Sequence, residues 1–159
     1  MSLIAHYSAL AALSVTVTGS ASFGTVTPKV FDLSAAPNNL EHAKLPARLM
    51  QIVEGGEGRD FHFVWGNSDT AIVTWHLVDR LYWREADSGL GLQSHAPDLA
   101  KYIDAYVVML QGFHEPTTNS RVVAVAILPG VYEYPTGSGV FYAGVECTLD
   151  IEQRLHANP

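Results

Sequence analysis

The chain has 159 residues, of which 48% are apolar and 16% are charged, and its formal net charge is −7. This length and composition predict one globular domain, residues 1–159, and exclude a disordered chain. The acidic balance and the scattered Lys and Arg residues argue against an electrostatic grip on nucleic-acid phosphates, which needs clustered cations.

The first third of the chain predicts a helix followed by short strands. Ser2 is a suitable cap for a helix through about Leu13, because apolar residues recur there at helical spacing. The stretch lacks the charged start of a signal peptide, so we interpret it as a structural helix. β-branched residues then predict two short strands, or a strand and a loop, and a firmer strand at residues 30–33.

Three strands are predicted in the middle of the chain, at residues 50–53, 60–65 and 70–84. A glycine-bearing loop over residues 86–98 leads to a helix that begins near Pro97 and ends at Gly112. One apolar stripe runs along this helix: Leu99, Tyr102, Ile103, Tyr106, Val107 and Leu110.

A strand at residues 121–128, a loop at 129–140 and a strand at 141–155 complete the pattern. The order α-β-β-β-β-α-β-β predicts an α+β fold, in which an antiparallel or mixed β-sheet has helices packed on one side. No uninterrupted apolar stretch is long enough to span a bilayer, so no membrane segment is predicted.

The last strand has one apolar and one acidic side. Its residues alternate, with Val145, Cys147, Leu149 and Ile151 on one side and Glu146, Thr148, Asp150 and Glu152 on the other. The apolar side predicts a half-buried strand, while the acids could bind a metal, do acid/base work or simply be solvated. Cys147 is the only cysteine; it is predicted to be a core thiol, which fits a reducing compartment.

Motifs for catalysis or cofactor binding are absent from the sequence. The seven histidines show no metal-ligand spacing, and there is no nucleophile elbow, phosphate-binding loop or dinucleotide fingerprint. We therefore predict no catalytic residue, metal or cofactor. Two classes stay open: a structural assembly protein, and an intracellular ligand-binding domain or hydrolase with a pocket at His62 and His76.

Five pieces of the chain carry a family resemblance through their order and spacing, after a short Ala/Leu helix. They are "VFDL" (30–33), "PNNLEHAKLPARL" (37–49), "WHLVDRLYWR" (75–84), "LAKYIDAYVVML" (99–110) and "YAGVECTLDIEQRL" (142–155). In this order, the chain resembles the tail-terminator (tail-completion, neck) proteins of long-tailed bacteriophages over nearly its whole length.

The resemblance implies a non-enzymatic virion protein, assembled in the host cytoplasm, that forms a homo-oligomeric ring, commonly a hexamer. Such a ring sits on the head-proximal end of the tail tube, ends tube growth and meets the head connector. DNA passes through the ring without specific binding, and neither a cofactor nor a membrane is involved. Another neck, head-completion or tail-tube protein is the alternative within this class.

A closed ring needs heterologous contacts, for which we predict the long strand and its loop. The predicted interface residues are Asp79, Arg80, Tyr82, Trp83 and Arg84, of which Arg80, Tyr82 and Arg84 would meet acids of the next subunit. Asp79 lies on the apolar side of its strand, so we expect it to be part-buried and paired with Arg80, Arg84 or a neighbour.

The acidic side of the last strand is predicted to line the lumen of the ring and repel passing DNA. The residues concerned are Glu146, Asp150 and Glu152. An ordinary solvated strand face is the alternative interpretation.

Overall fold

The computed structural model describes residues 9–10, 12–17, 25–26, 45–52, 62–65, 70–86, 92–93, 95–111, 113–115, 120–134 and 139–156. Ala9, Leu10 and Ala12 are helical, as expected for the end of the predicted first helix. The beginning of that helix and the predicted strand at residues 30–33 lie outside the described residues.

Eight strands and one long helix make up the described part of the chain. They are β1 Val15–Thr16, β2 Thr25–Val26, β3 Ala47–Ile52, β4 His62–Trp65, β5 Thr70–Glu85, α1 Ala96–Gln111, β6 His114–Glu115, β7 Ser120–Glu133 and β8 Phe141–His156. β1 and β2 form a separate antiparallel pair, and the other six strands form one antiparallel sheet in the order β3-β5-β8-β7-β6. β4 pairs with β5 on the same edge as β3. The predicted α+β fold with an antiparallel sheet is thus confirmed for the described residues.

The helix α1 packs on one face of this sheet, which we call the helix side. Four members of the predicted stripe, Leu99, Tyr102, Tyr106 and Leu110, are buried, and the other two, Ile103 and Val107, are half-buried. The four buried members join one hydrophobic core with alternate residues of β5 (Val73, Trp75, Leu77, Leu81) and of β8 (Val145, Cys147, Leu149, Ile151). We call the opposite face of the sheet the outer face. None of the helices among the described residues is long and apolar enough to cross a membrane.

The predicted boundary of β7 was wrong, because the strand continues through Pro129 to Glu133 instead of ending at Leu128. β7 pairs with β8 along its length, whereas on its other side the described residues supply only β6, opposite Ser120 and Arg121. Proline lacks the N–H that a central strand needs, but an edge strand tolerates it. Position at the edge of the sheet therefore explains why this proline does not end the strand.

Gly144 lies where the two central strands approach each other closely. β5 has a register shift between Tyr82 and Arg84, close to where Tyr82 is opposite Gly144 of β8. A Cβ atom at Gly144 would lie 1.9 Å from the carbonyl oxygen of Leu81, a distance that no side chain can occupy. Only glycine fits this position in the observed backbone.

Candidate functional site: faces and edges of the sheet

The acids of β8 lie on the outer face, and two of them are paired with side chains of the neighbouring strand β5. The strand register sets Arg80 opposite Glu146 and His76 opposite Asp150. Arg80 Nε donates to Glu146 Oε2 at 3.0 Å, and a second guanidinium nitrogen of Arg80 contacts the same oxygen. His76 Nδ1 lies 2.6 Å from Asp150 Oδ1. Cross-strand pairing therefore accounts for both acids.

Glu152, the third acid, lies between two arginines. Arg121 of β7 donates to Glu152 Oε1 at 3.2 Å, and Arg154 Nε lies 3.7 Å from the same oxygen. Three arginines thus lie within 4 Å of Glu146 or Glu152 on the outer face. In a lumen, acids paired in this way would repel DNA less than unpaired acids; their position in a lumen stays a prediction.

A buried ion pair lies on the helix side of the sheet. Arg48 of β3 and Asp79 of β5 are 0% and 2% exposed, and Arg48 Nε donates to Asp79 Oδ2 at 2.6 Å. The hydroxyl of Tyr106 donates to the same oxygen at 2.7 Å. Asp79 is paired as predicted, but two of the three predicted partners were wrong. Arg80 and Arg84 are not buried, and the partner is a neighbour, Arg48, on the adjacent strand.

Arg48 also holds the chain segment that precedes β1. Its Nη1 donates to the carbonyl oxygen of Leu13 at 2.6 Å, and its Nη2 donates to that of Leu10 at 3.3 Å. One guanidinium therefore joins four parts of the chain: the segment around Leu10, β3, β5 and α1.

The electrostatics of this cluster favour a structural role. Burial acts to lower the pKa of Arg48, but the charge and hydrogen bond of Asp79 outweigh it and raise the pKa above its ordinary value. Burial, and then the charge of Asp79, raise the pKa of Tyr102 and Tyr106 well above 10.0. Burial also raises the pKa of the Cys147 thiol, whose side chain is in the core as predicted. Arg48 is thus held charged, while the hydroxyls and the thiol are held protonated.

Four of the five predicted interface residues are buried or paired within the chain. Asp79, Tyr82 and Trp83 are buried, and Arg80 is half-buried against Glu146. Arg84 is exposed, with its guanidinium 5.2 Å from the ring centroid of Trp83. A subunit contact through these five residues stays a prediction, and Arg84 is the member that a neighbour reaches directly.

Tyrosines form a second cluster on the outer face, near the end of β5. The ring of Tyr82 meets those of Tyr134 and Tyr142 edge-on, with centroids 5.4 and 5.7 Å apart. Arg80 lies over the ring of Tyr132, 5.1 Å from its centroid. These edge-on contacts fill the space between the rings, so the cluster is a packed core and leaves no cage for a ligand.

The two histidines that could have formed a pocket lie close together, but one is already paired. His62 of β4 is opposite Thr74, two residues from His76 along β5. The ring of His76 is engaged by Asp150. Within the described ranges, no three His, Cys, Asp or Glu residues are placed to hold a metal ion.

Large exposed apolar side chains gather at two opposite edges of the sheet. At the β4 edge, Trp65 is 76% exposed and lies beside the exposed Val64. At the β7 edge, the exposed residues are Val123, Val125, Leu128 and Val131 of β7. Six of the eight exposed large hydrophobic residues of the described chain thus lie on β4 or β7; the other two are Phe141, at the beginning of β8, and Val108 of α1. We call the two edges the Trp65 edge and the β7 edge.

An open groove of about 220 Å³ lies at the β7 edge, between α1 and the beginning of β7. Its lining is almost entirely apolar: Val107, Leu110, Gln111, Val122, Val123, Ala124 and Val125. Sequence reasoning missed both edges, although the uncharged run from Val122 to Tyr132 was a signal for an exposed apolar strand. No family model and no curated protein matches this sequence.

Proposed function

We propose that this protein is a structural subunit that assembles head to tail into a ring, and that the ring is the tail terminator of a long-tailed bacteriophage. The separation of exposed apolar side chains onto two opposite edges of one sheet carries this proposal. Large exposed apolar patches mark surfaces that bind another protein.

Two different edges favour a heterologous contact, in which the Trp65 edge of one subunit meets the β7 edge of the next. A two-fold contact would cover one edge twice and leave the other exposed in every subunit. Heterologous contacts generate rings when the rotation closes and filaments when it does not. The four exposed residues of β7 and the two of β4 fit such a repeating contact.

The resemblance supplies the finer part of the proposal: a ring on the head-proximal end of the tail tube, between tube protein and head connector. The paired arginines of the outer face support a conduit that does not hold DNA. Arg80, Arg121 and Arg154 are each within 4 Å of a carboxylate, which competes with phosphate for the cation.

The mass of the purified protein tests the assembly. We expect light scattering or native mass spectrometry to give a defined multiple of 17.3 kDa, and negative-stain images to show rings with a central opening. A monomer at every concentration, or an open filament, would contradict the ring.

A second measurement tests the position on the tail. Tail-tube protein of the same phage, polymerising in the presence of this protein, should form shorter tubes with a ring at one end. Rings that leave tube length unchanged and bind to neither end would remove tail termination but leave the assembly standing.

A further inference from the structure

We infer that Trp65 of one subunit inserts into the groove between α1 and β7 of the next subunit. This inference names the contact residues of the head-to-tail assembly proposed above, and it rests on that assembly. The partner is a second copy of this chain, because the chain itself carries both halves of the contact on opposite edges of its sheet.

Trp65 has the features of an interface anchor. It is a large aromatic residue on a short edge strand, and 76% of it is exposed. Tryptophan is the residue type most often found to dominate binding energy at protein interfaces, where it fills a pocket on the partner. Trp65 is a residue of this type, and it fills no pocket within the described part of its own chain.

The groove offers the matching surface. Its volume of about 220 Å³ suits one aromatic side chain, and its walls are valines and a leucine. Gln111 supplies one polar group at the end of α1, and its amide oxygen can accept the indole N–H that a buried tryptophan needs to satisfy.

The strand register gives the offset between the two halves along the strands. Trp65 is opposite Ala71 of β5, while Val122 of the groove is opposite Ile151, which is opposite Trp75. Ala71 and Trp75 are four residues apart on the same side of β5, so the offset along the strands is only about 13 Å. A closed ring has no net translation along its axis, so this offset requires the strands to be inclined to the ring axis.

The contact must extend beyond Trp65. An aromatic side chain buries roughly 150–250 Å², whereas a stable interface needs about 800 Å² per partner. The rest of the β7 edge, with Val123, Leu128 and Val131, supplies the additional surface. Trp65 is thus the anchor, and β7 surrounds it.

Fluorescence quenching tests the insertion directly, because the chain has three tryptophans and the other two, Trp75 and Trp83, are buried. Quenching by acrylamide therefore reports on Trp65. We expect quenching to fall as the protein concentration rises through the assembly range.

Trp65→Ala and Val123→Asp should each weaken assembly about tenfold or more, and Trp65 should stay accessible in Val123→Asp. Lys101→Ala, an exposed site on α1 outside the groove, is the control.

Disulfide trapping tests the pairing of the two edges. A mixture of Trp65→Cys and Val123→Cys should give cross-linked dimers, while each variant alone should give few. Cross-linking of Val123→Cys with itself would show a two-fold contact and overturn the inference. Rings that form with Trp65 fully quenchable would overturn the inference but not the proposed function. A protein that stays monomeric would overturn both.

Discussion

At the scale of single residues, Arg48 and Asp79 stabilise each other's buried charge across two neighbouring strands. Both are buried, and their charges are compatible with the core only because the guanidinium and the carboxylate meet at 2.6 Å. The remaining guanidinium nitrogens are engaged by the carbonyls of Leu10 and Leu13. A buried charge that keeps all its partners is tolerated, whereas one that loses its counter-ion is costly.

Removing Arg48 alone should therefore destabilise the protein strongly. We expect Arg48→Met to lower the free energy of unfolding by about 3–5 kcal/mol, because Asp79 would stay buried without its counter-ion. Urea unfolding followed by circular dichroism measures this change. The double variant Arg48→Met/Asp79→Leu removes both charges and should recover most of the loss. A double variant no more stable than Arg48→Met would contradict this account.

Gly144 should be the least replaceable glycine of the described chain. Because a Cβ atom there would overlap the carbonyl oxygen of Leu81, Gly144→Ala should separate β5 from β8 and cost more than about 3 kcal/mol. The matched control is Gly139→Ala, where the residue has a φ of +71° but no atom lies within 4 Å of a new Cβ. That change should cost only about 1–2 kcal/mol. Equal midpoints in urea for the two variants would show that the close approach at Gly144 is wrong.

At the scale of elements, β7 differs from the two strands inside the sheet. β5 and β8 each have partners on both edges, while β7 is exposed along most of its length. An edge strand with an uncharged apolar run is a surface for association unless something covers it. The same element can therefore be unimportant for the stability of the monomer and decisive for assembly.

Substitutions at neighbouring positions of β7 should separate these two effects. Leu128 is 61% exposed on the outer face, so Leu128→Lys should change the unfolding free energy by less than about 0.5 kcal/mol. It should nevertheless weaken self-association, measured by sedimentation velocity. Ile127 packs against the core, so Ile127→Lys should cost more than about 2 kcal/mol. A Leu128→Lys protein that assembles normally would place Leu128 outside the interface.

The elements with a long, regular pattern could be predicted from the sequence, and the contacts between distant segments could not. β5, α1 and β8 were placed within one or two residues, because each shows an apolar repeat over several turns or alternations. The partner of Asp79 was missed because it lies 31 residues away, on a strand whose register the sequence does not reveal. The partners of Glu146, Asp150 and Glu152 were missed for the same reason, since single-strand patterns do not show what lies across the sheet.

At the scale of the whole molecule, buried tyrosines tie stability to alkaline pH. The pKa values of Tyr102 and Tyr106 are raised above 10.0, first by burial and then by the charge of Asp79. The folded protein therefore keeps protons that the unfolded chain releases above about pH 10. Their contribution to stability is complete below this pH and is lost as the pH rises above it.

Unfolding in urea between pH 8 and pH 11 checks this dependence. We expect the unfolding free energy to fall above about pH 10 and to fall less steeply in Tyr106→Phe. That variant should also be about 1 kcal/mol less stable at pH 8, because the hydrogen bond to Asp79 is lost. A slope that is unchanged in Tyr106→Phe would exclude this tyrosine as a source of the pH dependence.

The position of β8 also affects how the chain is made. β8 lies between β5 and β7, yet it follows both of them in chain order, and its pair Arg80–Glu146 joins residues 66 positions apart. A ribosome therefore releases β5, α1 and β7 before their common partner has been synthesised. Until β8 emerges, the apolar sides of β5 and β7 have no strand between them, and such exposed strands aggregate readily. Nascent chains stalled before Phe141 should consequently depend on chaperones, whereas chains released after His156 can close the sheet in one step.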